Sequence, residues 1–134
     1  MMPWWRSGLR LCLLLAFGHC LNAAATAPEA EFPPKGTPEA AAYRGGIVFN
    51  HYCALCHGAK ADGNGRAAKL YTPRPANLVT SDKNDQYKEM IVRQGGKMLG
   101  RSEFMPPWGN ELTNEQVTDV VAYLRSVHAT GGVK

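Results

Sequence analysis

Two cysteines and a histidine stand within five consecutive positions of the sequence HYCALCHG, residues 51–58. Cys53, Cys56 and His57 occupy positions i, i+3 and i+4, which lie on one face of a helix. Such a trio has three common uses: a redox dithiol, half of a zinc site, or the point where a haem is attached to the chain. The rest of the sequence separates these uses.

A thioredoxin-like dithiol needs a preceding strand and a βαβ setting, and no segment of this sequence alternates as a strand does. A zinc site needs two further Cys or His ligands, and outside the motif the expected mature chain has only His51 and His128. C-x-x-C-H is by itself the pattern of covalent haem c attachment. We therefore predict that Cys53 and Cys56 form thioethers with the haem vinyl groups and that His57 binds the iron.

Iron held by His57 has a second axial position, whose occupant separates an electron carrier from a catalyst or a gas sensor. Met105, in the sequence EFMPPWG, is the expected ligand, because Pro106 and Pro107 stiffen the loop just after it. The other candidates are Met90, Met98 and His128. A thioether opposite an imidazole raises the reduction potential and leaves no open position for a substrate. The site is therefore suited to one-electron transfer.

The first 25 residues are predicted to be a cleaved export signal. Arg6 and Arg10 precede an apolar run at residues 11–21, which is far shorter than the ~20 residues needed to span a bilayer. Small residues follow, and they favour cleavage after Ala25. An uncleaved membrane anchor is the alternative.

Export changes both the cysteine count and the charge. Cys12 and Cys20 leave with the signal, so one pair of cysteines remains. The net charge falls from +4 to +2, with 13 basic and 11 acidic side chains, and these dispersed charges do not indicate nucleic-acid binding. Residues 26–36, rich in Pro, Ala and acid, predict a flexible lead-in, and residues 37–130 predict one folded domain.

The predicted fold class is all-α, with three main helices, short helical turns and long loops wrapped around one covalently bound haem. Thr37 is a good N-cap for a first helix, and Thr113 and Gln116 form a capping box for the last one. Helices are expected from Pro38 towards Cys53, at 82–94 and at 114–128, with a short turn at 66–70. The long connecting loops are typical of segments that wrap a large cofactor.

The combined motifs resemble a known family. GGIVFNHYCALCHGAKADGNG, followed by RPANL, MPPWG and VVAYLRSV, is similar to the class I cytochromes c of bacteria, monohaem electron carriers of the periplasm. The resemblance covers residues 40–128. CALCHG is its most specific part, and MPPWG is moderately specific.

The resemblance implies a crossing between the first and last helices. Gly45 and Phe49 match the first-helix positions at this crossing, and Tyr123 and Leu124 match the opposite side. A close approach would account for a glycine inside a helix, which costs on the order of 1 kcal/mol relative to alanine. A locally weak helix is the alternative explanation.

Two further residues take roles from the resemblance. Pro75, in RPANL, resembles the proline whose carbonyl accepts the proton of His57 Nδ1, although Pro73 is close enough to be an alternative. A Gly-rich insert, GAKADGNG, precedes this segment. Trp108 would pack on the haem or donate its indole N–H to a propionate, or else belong to the core.

The implied function is one-electron transfer between a donor and a terminal oxidase or reductase, by a protein that is not an enzyme. The expected location is the periplasm, with redox proteins as partners and no stable membrane insertion after cleavage. A haem subunit of a periplasmic dehydrogenase or membrane oxidase is one alternative, and an open-site haem protein that binds small ligands is another. Basic side chains that could steer an acidic partner are Lys60, Lys69, Lys97 and Arg101.

Overall fold

The computed structural model describes residues 32–131, so the predicted export signal lies outside the described residues. Within that range the chain forms four α-helices and two short 3₁₀ turns, and no strand occurs there. The helices are α1 (Pro38–Tyr52), α2 (Ala54–His57), α3 (Asp85–Gln94) and α4 (Asn114–Gly131), and the 3₁₀ turns are Ala68–Leu70 and Lys97–Leu99. The predicted all-α fold with three main helices is confirmed.

Helix α1 begins and ends where the sequence indicates. The Thr37 side chain accepts a hydrogen bond from the Ala40 N–H at 3.2 Å, and Pro38 occupies the first helical position. At the other end, Cys53 donates its N–H to the Phe49 carbonyl and so closes α1. The C-x-x-C-H sequence at residues 53–57, called the attachment motif below, therefore starts at the end of a long, capped helix.

Helix α3 starts three residues later than predicted, at Asp85 instead of Asp82. The reason is the Asn84 side chain, which accepts a hydrogen bond from the Tyr87 N–H at 2.8 Å and caps the helix there. Gly95 ends the helix with a φ of 77°, a backbone conformation that favours glycine. The predicted end of α3 is thus correct, and its predicted start is wrong.

Helix α4 begins with the predicted capping box. The Thr113 N–H donates to Gln116 Oε1 at 2.8 Å, and the Gln116 N–H donates to Thr113 Oγ1 at 3.2 Å. The apolar stripe of this helix is buried at Val117, Val120 and Leu124. No helix in the described part of the chain has both the length and the apolar character needed to cross a bilayer.

Helices α1 and α4 cross in close contact. A Cβ atom on Gly45 would lie 1.8 Å from the Asp119 carbonyl oxygen, so only glycine permits this approach. The Phe49 and Tyr123 rings pack with centroids 5.1 Å apart, as the resemblance implies. Gly45 itself faces Asp119 and Val120, about one helical turn before the positions that the resemblance suggests.

An ion pair with one buried member reinforces the crossing. The Arg44 guanidinium contacts the Asp119 carboxylate through two hydrogen bonds, at 2.7 and 2.9 Å, and Asp119 is only 4% exposed. Beneath it lies the core, made of ten buried residues: Val48, Phe49, Cys53, Ala61, Val92, Leu112, Val117, Val120, Val121 and Leu124. Since Cys53 and Ala61 belong to this core, the attachment motif is anchored directly on it.

Candidate haem-binding site

The cysteines and the histidine of the motif are arranged by one helical turn. The Cys53 carbonyl accepts hydrogen bonds from the N–H groups of Cys56, at 3.1 Å, and His57, at 2.9 Å. Helix α2 therefore continues directly from α1, and the three side chains follow one another around a single turn. A cofactor attached here is held by the backbone of α1 and α2 together.

Both cysteines of the motif are free thiols. Burial, with a smaller contribution from the neighbouring Cys56, raises the pKa of Cys53 to about 12. Cys53 is therefore a neutral thiol at physiological pH, while Cys56 is partly exposed. Two unpaired thiols beside an imidazole form the donor set that haem c attachment requires, so these residues fit the group.

The His57 ring is fixed by the backbone of the loop that faces it. Its Nδ1 lies 3.0 Å from the carbonyl oxygen of Ala76. A carbonyl only accepts, so Nδ1 carries the proton and Nε2 keeps its lone pair for iron. Burial lowers the pKa of His57, and the hydrogen bond with Ala76 opposes this. The neutral ring, which is the form that binds metal, therefore persists to lower pH.

The acceptor of this bond differs from the one expected. The resemblance implies the Pro75 carbonyl, with Pro73 as the alternative, whereas in the structure the Ala76 carbonyl accepts this bond. The Pro75 carbonyl faces Gly63 instead, where a Cβ atom would come within 2.7 Å of it. Successive carbonyls along an extended chain point in different directions, so a shift of one residue changes which of them reaches the ring.

The Gly-rich insert forms the tight turn between His57 and this segment. The Gly63 N–H donates to the His57 carbonyl at 2.8 Å, and Gly63 has a φ of 79°. Asp62 accepts a hydrogen bond from the Asn64 N–H at 3.0 Å, which lowers the pKa of Asp62. A Cβ on Gly65 would lie 2.3 Å from the Leu55 carbonyl oxygen. The insert thus folds tightly against α2 and brings the Ala76 carbonyl to the ring.

Met105 lies in a loop bound to the end of α3. The Gly96 N–H donates to the Met105 carbonyl at 2.9 Å, and the Trp108 N–H donates to the Val92 carbonyl at 2.8 Å. A side chain at Gly95 or at Gly96 would collide with this loop. A Cβ atom on Gly95, for example, would lie 2.8 Å from the Met105 carbonyl oxygen. Met105 is partly buried and lies near His57. Backbone hydrogen bonds therefore hold the Met105 loop to the end of α3.

Trp108 connects the Met105 loop with the attachment motif. Its ring meets the Tyr52 ring edge to face, with centroids 5.3 Å apart, and Tyr52 directly precedes Cys53. Trp108 is partly buried and packs against the hydrophobic core. The structure thus brings Trp108 beside the motif.

The other candidate ligands occupy less suitable positions. Met98 lies in a 3₁₀ turn, and 74% of it is exposed. His128 Nδ1 lies 2.7 Å from the Val79 carbonyl oxygen and ties α4 to the loop before α3. Met90 is 36% exposed on α3. His51 is exposed on α1.

Large apolar side chains are exposed in the segments around the motif. Leu55 lies between the two cysteines, Leu70 follows the Gly-rich turn, and Phe104 precedes Met105, with exposed fractions of 54%, 78% and 49%. Burying an apolar side chain contributes about 1.5–3 kcal/mol. Exposed apolar side chains in these segments suit a protein that binds a large planar apolar cofactor.

Residues 40–124 match the family described as cytochrome c oxidase, cbb3-type, subunit III. The chain belongs to this cytochrome c family. A chain of the reducing HAO-like protein complex of Kuenenia stuttgartiensis is similar over 72% of the present chain, at 29% sequence identity and a TM-score of 0.54. The present chain covers 44% of that chain, less than half of its length. No curated protein matches the present chain.

Family membership gives the general properties of this cytochrome c domain. It implies covalently bound haem c, electron transfer and redox proteins as partners, and proteins of this kind are electron carriers, not enzymes. Its members are typically extracytoplasmic. The resemblance to cytochromes c seen in the sequence is therefore confirmed.

Proposed function

We propose that this cytochrome c domain carries single electrons through one haem c that is bound covalently by Cys53 and Cys56 and ligated by His57 and Met105. The observation that carries the proposal is the arrangement of His57. Its Nδ1 proton is bound to the Ala76 carbonyl, which orients the ring and leaves Nε2 for the iron. The proximity of Met105 to His57 supports a thioether as the second ligand.

When bound, haem supplies an iron that changes by one electron between its ferric and ferrous states. The residues of the chain hold and orient it. Cys53 and Cys56 would fix it to α2, while the Ala76 carbonyl prevents rotation of the His57 ring. The Met105 loop, bound to the end of α3, would close the other face and exclude water and small ligands. A site held so firmly changes little between oxidation states, which favours rapid electron transfer.

The Gly-rich turn and the Met105 loop also provide the surface proposed for partners. Lys60 and Lys69 follow α2, Lys97 and Arg101 precede Met105, and all four are exposed. Their charge would attract an acidic redox protein. Association rates with such a partner should fall as ionic strength rises, because salt screens exposed charges beyond about 10 Å at 0.1 M. Rates indifferent to salt would remove this part of the proposal.

The proposed location is the periplasm. The basic residues, short apolar run and small residues of the first 25 positions support a cleaved export signal. The proposed mature chain then has a lead-in at 26–36 and the cytochrome c domain at 37–130. Determining the N-terminal residue of the exported protein tests this organisation.

Addition of carbon monoxide to the ferrous protein tests the closed site. Stable ligation by Met105 predicts that the absorption spectrum stays unchanged on prompt addition of the gas. Immediate formation of a carbon monoxide complex would instead indicate an open iron and a ligand-binding protein.

A haem subunit of a larger oxidoreductase is the second candidate function. The family description favours it, because it names a subunit of an oxidase, and the similar solved chain belongs to a protein complex. Co-purification decides between the two. A free carrier elutes as a small protein, whereas a subunit elutes with its larger partner.

A further inference from the structure

Lys88 is the one lysine buried among the described residues. It lies on α3 and is only 6% exposed, the same as Val92 one helical turn later. Residues four apart lie on the same face of a helix, and Val92 belongs to the hydrophobic core. The Lys88 side chain therefore points to the inner side of α3. Lysine is almost never fully buried unless it is paired.

No acidic side chain in the described part of the chain lies within ion-pair distance of the Lys88 ammonium. The described ion pairs involve other cations, and the acids of α3 are engaged elsewhere. Glu89 binds Arg93, and Asp85 binds Arg125. The Lys88 backbone N–H donates to the Asn84 carbonyl, and this bond does not involve the ammonium. The ammonium thus has no anion on its own helix.

The ammonium nevertheless touches accessible space. Every fully enclosed side-chain nitrogen or oxygen of the described residues has a hydrogen-bond partner. Since the Lys88 ammonium has none, it must border an opening. The buried stem, which shares a face of α3 with Val92, leads to this opening. The end of the same helix holds the Met105 loop through the carbonyls of Val92 and Arg93.

We infer that Lys88 is a propionate-binding residue whose ammonium pairs with a carboxylate of the haem. This inference rests on the proposed function, because it requires the haem. A haem carries its negative charge on two propionates, and an ammonium at the end of a buried stem is stabilised by an adjacent anion. The pairing would give the ammonium the anion that no described acidic side chain supplies within ion-pair distance.

Replacement of Lys88 by methionine distinguishes this pairing from an ammonium that merely reaches water. Methionine keeps the length of the side chain and removes the charge. If Lys88 pairs with a propionate, Lys88→Met leaves that carboxylate without its cation, so the haem-loaded protein unfolds at a lower temperature. The ferric form also becomes relatively more stable, so the midpoint potential falls. If the ammonium is unpaired, the same change raises the unfolding temperature, because an unpaired charge is removed from a mostly buried position.

The experiment compares haem-loaded wild type with Lys88→Met, Lys88→Arg and the control Lys35→Met, which removes an exposed charge. Unfolding temperature and midpoint potential are measured for each, together with the NMR shifts of the propionate methylene protons. We expect the unfolding temperature and the midpoint potential to fall in Lys88→Met only. Both should stay close to wild type in Lys88→Arg, and the methylene shifts should change in Lys88→Met.

Two outcomes would overturn the inference: a Lys88→Met protein at least as stable as wild type, or methylene shifts identical in Lys88→Met and Lys35→Met. If Lys88→Met does not mature, NMR contacts between the Lys88 side chain and the propionate methylenes in the wild type decide the question, and their absence refutes it. A wild type without covalent haem would instead refute the proposed function.

Discussion

At the scale of single residues, the orientation of His57 depends on one backbone carbonyl. Ala76 accepts the Nδ1 proton at 3.0 Å, and the segment that carries it is held against Gly63. A ligand imidazole whose second nitrogen donates a hydrogen bond is a better electron donor to the metal. The turn around Gly63 should therefore affect the midpoint potential of the iron, although it does not contact the iron.

Substitution of Gly63 by alanine tests this dependence. The new Cβ would meet the Pro75 carbonyl oxygen at 2.7 Å and displace the neighbouring Ala76 carbonyl from the ring. We expect a weaker hydrogen bond, a less basic ligand and a higher midpoint potential. Gly36→Ala is the matched control, because Gly36 also has a positive φ, of 85°, but has nothing within 4 Å. Both variants should lose about 1 kcal/mol through the left-handed backbone. Equal potentials in the two variants would contradict this account.

The identity of the second ligand is also a property of one residue. Replacing Met105 by histidine should lower the midpoint potential, because an imidazole stabilises ferric iron more than a thioether does. Met98→His serves as the control, since Met98 is 74% exposed in a separate turn. Spectroelectrochemical titration measures the midpoint potential of both variants. A fall in Met98→His with no change in Met105→His would identify Met98 as the ligand.

At the scale of elements, the contact between α1 and α4 determines the position of the attachment motif. α1 leads directly into α2, so any displacement of α1 from α4 also moves Cys53 and His57. The contact depends on Gly45, because the α4 backbone at Asp119 lies directly against this residue. The adjacent Arg44 binds the Asp119 carboxylate from the side. Stability and site geometry are therefore linked through this crossing.

The substitution Gly45→Ala should destabilise the haem-loaded protein by about 3 kcal/mol, which is at the upper end of the usual range for overpacking. The reason is that the new Cβ atom would lie 1.8 Å from the Asp119 carbonyl oxygen. Gly46→Ala is the matched control. Its Cβ would lie 3.3 Å from the Tyr123 ring, and the gain of about 1 kcal/mol in helix propensity offsets that contact. Chemical unfolding, monitored by the helical circular dichroism signal, measures the free energy of unfolding of both variants. Similar losses in the two variants would mean that the crossing does not depend on Gly45.

The elements also show what local sequence can and cannot predict. The caps at Thr37 and at Thr113 with Gln116 depend on residues three apart, and the sequence predicts both. The start of α3 was harder to predict, because Asp82 and Asn84 are both suitable caps and only the loop geometry selects Asn84. The contact of Gly45 with Asp119 depends on how two helices meet, which spacing within either helix does not determine.

At the scale of the whole molecule, the chemical identity of the site was more predictable than its supporting contacts. The spacing of Cys53, Cys56 and His57 is local, and the family match at residues 40–124 agrees with the haem chemistry that it predicts. The carbonyl that binds His57 lies 19 residues away along the chain, so its identity depends on the folded loop. For the same reason, the burial of Lys88 appears only once α3 is packed. Sequence spacing therefore predicts the donors, and tertiary structure selects the groups that surround them.

The most direct measurement of the central claim is the intact mass of the purified, coloured protein under denaturing conditions. Covalent attachment through Cys53 and Cys56 predicts a single species heavier than the polypeptide by one haem, with no thiol left to alkylate at these two cysteines. Changing either cysteine to serine should reduce the attachment to one thioether or abolish it. A mass equal to that of the bare polypeptide, with both thiols free to react, would contradict the account.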